Sequence, residues 1–214
     1  MTEVELDLGS SRLPGILQVP VGPRGVVAFA HGSGSSRLSP RNLAVAGALN
    51  ERGIATLLFD LLTVAEEADR ANVFDIGLLS SRLSAAVGWL RQREETSGLR
   101  VGLFGASTGA AAALVSAAEL GRVVAAVVSR GGRPDLAGES LERVLAPTLL
   151  IVGGEDRVVL ELNRAAASRL RCECSIEVVP GATHLFEEPG ALERVCELAA
   201  GWFARHLGAG GSGP

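Results

Sequence analysis

Short apolar runs rich in β-branched residues alternate with longer segments of helical periodicity along most of this chain, and few architectures satisfy that alternation. The runs Val26 to Ala30, Ala55 to Phe59, Val101 to Phe104, Val123 to Ser129, Thr148 to Val152 and Ser175 to Val179 read as buried strands. Between them lie the helical segments Arg41 to Arg52, Asp75 to Arg93, Ser107 to Leu120 and Leu160 to Leu170, with Ala191 to Leu207 closing the chain. Asp75 to Arg93 places Ile76, Leu79, Leu83, Val87 and Leu90 on one stripe. Ahead of them, Val4 to Leu8 and Leu13 to Val19 flank a turn of Gly9, Ser10 and Ser11 and read as an antiparallel hairpin entering the sheet. The expectation is an α/β domain with a mostly parallel central sheet of about eight strands and helices on both faces.

Length and composition fit one such unit. A chain of 214 residues, 47% of them hydrophobic, suffices for a single core. Residues 1–207 are expected to form one domain, and 208–214 a flexible Gly-rich tail. A net charge of -4 provides no positive field to draw in nucleic acid. Every basic side chain is Arg, so amine-nucleophile and Schiff-base chemistry is excluded. Three cysteines, none in CxxC spacing, read as reduced thiols of a cytoplasmic protein. The acidic N-terminus lacks a signal-peptide pattern, and no apolar run approaches the length of a membrane span.

The chemistry is concentrated in loops that follow strands. Gly105-Ala106-Ser107-Thr108-Gly109 lies between a strand and a helix, the context of a nucleophile elbow. Glycines two before and two after the serine let strand and helix approach while the turn lifts Oγ above the sheet edge. The bland alternative is a tight turn with Ser107 as helix N-cap. A serine nucleophile needs a base, and three histidines are available. His206 sits in the last helical turn, where the helix dipole suffices to explain it. His31 belongs to an earlier loop. His184 lies in Pro180-Gly181-Ala182-Thr183-His184-Leu185-Phe186, after the last strand and before the last helix. Asp156, at the end of the strand Thr148 to Val152, is the candidate acid, with Glu155 its rival; the order Ser107, Asp156, His184 is that of α/β-hydrolases. His31-Gly32-Ser33-Gly34 follows another strand end and suits an oxyanion loop, with the backbone N–H of Ser33, or next that of Gly34, and that of Thr108 as donors.

HGSGSSR (31–37), FDLLT (59–63), GASTG (105–109), SRGGRPD (129–135), GGEDRVV (153–159) and PGATHLFEEPG (180–190) together resemble the dienelactone-hydrolase-like branch of the α/β-hydrolases over nearly the whole chain. The resemblance implies an α/β-hydrolase fold, carboxylic-ester hydrolysis, Ser107, Asp156 and His184 as a triad, and no metal or organic cofactor. True dienelactone hydrolases carry cysteine where this chain has Ser107.

The expected activity is cytoplasmic cleavage of small or short-acyl esters, lactones included, through an acyl-enzyme. Arg130 to Pro147 is too short for a large cap domain, which favours small substrates. A non-hydrolysing binding or partner module competes from a different class, and an acyltransferase or amidase would use the same triad. Neither oligomeric state nor the physiological ligand is written in the pattern. Arg130 and Arg133, at the end of the strand Val123 to Ser129, are candidate ligands for a substrate carboxylate. The structural alternative pairs Arg130 with Asp60 or Asp135.

Overall fold

The computed structural model describes residues 2–9 and 11–208. The expectations for Ser10 and for the tail from residue 209 onward lie outside these residues. Among them, eight strands form one sheet: β1 (Thr2–Asp7), β2 (Arg12–Gln18), β3 (Val26–Ala30), β4 (Ala55–Phe59), β5 (Val101–Ala106), β6 (Val124–Arg130), β7 (Thr148–Gly153) and β8 (Cys174–Val179). Their spatial order is β1-β2-β4-β3-β5-β6-β7-β8. The β1–β2 hairpin joins antiparallel through β2 against β4, and every later pairing is parallel.

Period-two alternation explains why both faces are covered. In β3, Val26, Ala28 and Ala30 face one apolar layer, while Val27 and Phe29 face the other. The first layer packs under α4 (Ile76–Gln92), α5 (Thr108–Leu120) and α6 (Arg157–Ala167); the second lies under α1 (Pro40–Glu51) and α7 (Ala191–Leu207). The expected stripe on α4 is buried at Leu79, Leu83, Val87 and Leu90, with Ile76 partly covered at its rim.

Two connections over the sheet's C-terminal edge carry structure that sequence periodicity did not suggest. After β4 come two single-turn helices, α2 (Val64–Glu67) and α3 (Arg70–Val73). A capping box between Thr63 and Glu66 starts α2, and the Arg82 guanidinium of α4 meets Glu66 at 2.6 Å. After β6, residues Pro134–Arg143 form 3-10 turns broken at Gly138, whose φ is 54°. Segments of four residues are too short for a periodic signal. Neither connection forms a cap domain among the described residues.

Candidate active site

Ser107 stands between β5 and α5 with φ 51° and ψ -121°, a region L-residues occupy only when the surroundings hold them there. Backbone bonds supply that hold. The Ser107 N–H donates to the Arg130 carbonyl at 3.2 Å, and the Arg133 N–H donates to the Ser107 carbonyl at 3.1 Å. A side chain at Gly105 would strike the backbone of Gly109 and Ala110, and one at Gly109 would come within 2.6 Å of the His31 carbonyl. Both glycines are therefore required by close approach. Oγ makes no capping bond to α5, which disposes of the N-cap reading.

His184 and Asp156 arrive at the same end of the sheet. Asp156 occupies the N-cap position of α6 yet makes no capping bond; instead its Oδ2 lies 2.7 Å from His184 Nδ1. With Nδ1–H donated to the carboxylate, Nε2 is the ring nitrogen left to act as a base. Glu155 is exposed and anchors its loop through a backbone bond from its N–H to the Ala182 carbonyl, so Asp156 is the acid in contact with the imidazole. Ser107 and His184 line one cavity with Ser33, Arg41, Arg130 and Leu185.

The loop after β3 runs beside the elbow, close enough that a Cβ on Gly32 would lie 3.0 Å from that of Ser107. The Ser33 N–H donates to the Thr108 hydroxyl at 3.0 Å, so this expected oxyanion donor is already directed at the nucleophile's neighbour. His31 holds the loop in place. Its Nε2 accepts from the Leu61 N–H at 3.1 Å, which assigns the proton to Nδ1, 3.0 Å from the Gly32 carbonyl. Burial pushes its pKa below the ordinary value, keeping the ring neutral as both bonds require.

Residues 44–203 match the dienelactone hydrolase family. The crystal structure of a dienelactone hydrolase from Anabaena variabilis superposes with a TM-score of 0.94 at 53% identity, over 96% of this chain and 97% of that one. The chain belongs to the dienelactone hydrolase family. Est1E from Butyrivibrio proteoclasticus, solved with ferulic acid bound, shares the fold with a TM-score of 0.81 at 18% identity, covering 95% of this chain and 99% of its own. These similarities establish the α/β-hydrolase fold. Two Mycobacterium tuberculosis proteins, from strains CDC 1551 and H37Rv and provisionally named phosphoribosyl transferases, are 62% identical over 212 residues. That match takes in 99% of this chain and 48% of each relative, so the chain spans about half their length.

Within this family framework the two candidate arginines separate. Arg133 grips Asp135 with two bonds of 2.8 and 2.7 Å and does not line the Ser107 cavity. Arg130 does line it, but with neither carboxylate that sequence reasoning offered: Asp60 is taken by the Arg37 side chain and backbone, and Asp135 by Arg133. Two residues of this site went unnoticed in the sequence. Arg41 reaches the cavity from the first turn of α1, a position whose only sequence cue is its closeness to the 31–37 loop. Phe186 is buried with φ 55° and fixes the His184 loop against the core; a positive φ at a phenylalanine has no sequence signature.

Proposed function

We propose that this chain is a cytoplasmic serine hydrolase that cleaves small or short-acyl carboxylic esters, lactones included, through an acyl-enzyme. The observation that carries the reading is the 2.7 Å contact between His184 and Asp156 at the cavity that also exposes Ser107. His184 Nε2 takes the Ser107 proton as Oγ attacks the carbonyl carbon, and Asp156 stabilises the imidazolium that forms. The carbonyl oxygen becomes an anion facing the Thr108 and Ser33 N–H groups, which requires the Thr108 hydroxyl to yield its place on Ser33. Collapse breaks the C–O bond, and the imidazolium proton passes to the leaving alcohol. Water then attacks the acyl-serine with His184 again as base, releasing the acid.

The ligand is a small-molecule ester, and the steps as written need no metal or organic cofactor. The transferase name of the mycobacterial relatives belongs to proteins about twice this length, and the half they share with this chain contains the family match. Turnover of p-nitrophenyl esters of increasing acyl length tests the reading. The expected result is activity on the shortest esters that Ser107→Ala abolishes; a wild type inert towards every ester would favour the binding-module alternative.

A further inference from the structure

Asn163 lies in the middle of α6 and is completely buried, a position where apolar residues predominate. Burying an amide costs free energy for each polar atom left unpaired, and Asn163 Oδ1 has no hydrogen-bond partner among the described residues. Its Nδ2 is used twice. It donates to the Val159 carbonyl at 2.7 Å and to the Gly132 carbonyl at 3.0 Å, and two carbonyl acceptors fix which way the amide faces. The Val159 bond stays within the helix, so the bond that leaves α6 is the one to Gly132.

Gly132 belongs to the segment that grips the nucleophile. The Arg130 carbonyl accepts from the Ser107 N–H and the Arg133 N–H donates to the Ser107 carbonyl, so residues 130–133 hold both sides of a residue strained at φ 51°. The same segment abuts the base: at Gly131, whose φ is 50°, a Cβ would lie 3.2 Å from the His184 carbonyl oxygen and 3.5 Å from its Nδ1. The sheet anchors its first part, where the Gly131 N–H donates to the Ile151 carbonyl of β7 at 2.8 Å. One residue further on, Asn163 takes over the hold at Gly132. The helix that sends out this amide has Asp156 at its N-cap position. Asn163 therefore ties the helix begun by the acid to the segment that holds the nucleophile and packs on the base. Resting on the hydrolase reading above, we propose that Asn163 is a positioning residue, whose bond to Gly132 keeps Ser107 aligned with His184. Without it the 132–133 turn drifts from α6, the Arg133 N–H loosens from the Ser107 carbonyl, and Oγ moves off the line to Nε2.

Asn163→Leu keeps the branched shape of the side chain without a donor, and Asn163→Ala removes the donor with no danger of overpacking. Exhaustive labelling with a fluorophosphonate counts the competent sites in each variant, so that kcat for p-nitrophenyl acetate is read per labelled site. The expected result is a kcat per site lower by about tenfold or more, a KM within about twofold of wild type, and slower labelling in parallel. Amide hydrogen exchange ties the loss to its cause: it is expected to quicken at Arg133 and to stay at the wild-type rate at Gly131, whose bond runs to β7. A residue that only stabilises the fold would lower the Tm and the number of labelled sites while each remaining site kept the wild-type kcat. That outcome in either variant, or unchanged protection at Arg133, would overturn the positioning role and leave ester hydrolysis standing. A wild type inert to both ester and probe would instead remove the hydrolase reading and the positioning role with it.

Discussion

At the scale of single residues, Ser107, His184 and Asp156 are proposed to act as one unit. Ser107→Ala and His184→Ala are each expected to remove nearly all turnover, and the double variant to lose no more than either alone. A double variant much slower than both would separate the two residues. Asp156→Asn favours the wrong imidazole tautomer and is expected to cost up to about 10⁴ in kcat, whereas Glu155→Gln stays near wild type. The placement of all three past strand ends was legible in the sequence because each lies in a loop that follows an apolar run. Between Asp156 and Glu155, only the 2.7 Å contact decides. His31 supplies a separate test. Its pKa is lowered by burial, so the unfolded chain takes up a proton near pH 6.5 before the folded one does. Its contribution to stability is therefore complete above about pH 6.5 and is lost as pH falls towards the lower folded value. Melting temperatures from pH 8 to 5 are expected to fall on the acid side and to fall less in His31→Gln; His206, lowered in the same direction, keeps part of the slope. Identical acid-side slopes in both proteins would contradict the assigned role.

Elements matter here through how closely they approach. The strand-turn-helix of β5 and α5 works only because Gly109 lets α5 lie against the His31 carbonyl. Gly109→Ala is expected to destabilise the fold by about 2 kcal/mol or more and to shift Ser107 away from His184, which denaturant titration and ester turnover would register together. Wild-type stability and rate in that variant would show that the elbow has slack. The sequence announced β3 to β8 and the long helices because their apolar residues repeat over enough positions to be read. It did not announce α2, α3 or the 3-10 turns after β6, whose structure depends on local capping and on a glycine at φ 54°. The start of α6 also shifts, from the expected Leu160 to Arg157, with Asp156 at the N-cap position making no side-chain capping bond.

Across the whole molecule, sheet order sets the chemistry by gathering four strand ends at one edge. The loops after β3, β5, β7 and β8 contribute Ser33, Ser107, Asp156 and His184, respectively, so residues scattered along the chain share one rim. That convergence was foreseeable from parallel strands. The Arg41 contribution was not, since it depends on how α1 lies against the opposite face. None of the three cysteines lines the Ser107 cavity: Cys172 precedes β8, Cys174 opens it, and Cys196 lies on α7, near enough to Arg130 for their charges to interact. Burial raises all three thiols, Cys174 to about 11, which leaves little thiolate at neutral pH. Iodoacetamide applied to the folded protein is expected to leave ester turnover intact; stoichiometric inactivation without unfolding would assign a thiol to the mechanism.

If Ser107 is a nucleophile activated by His184, a fluorophosphonate probe should label it covalently. One equivalent is predicted to attach to the wild type, to map by peptide mass to Ser107, and to attach far more slowly to His184→Ala. An adduct on another residue, or no adduct on the folded protein, would contradict the account.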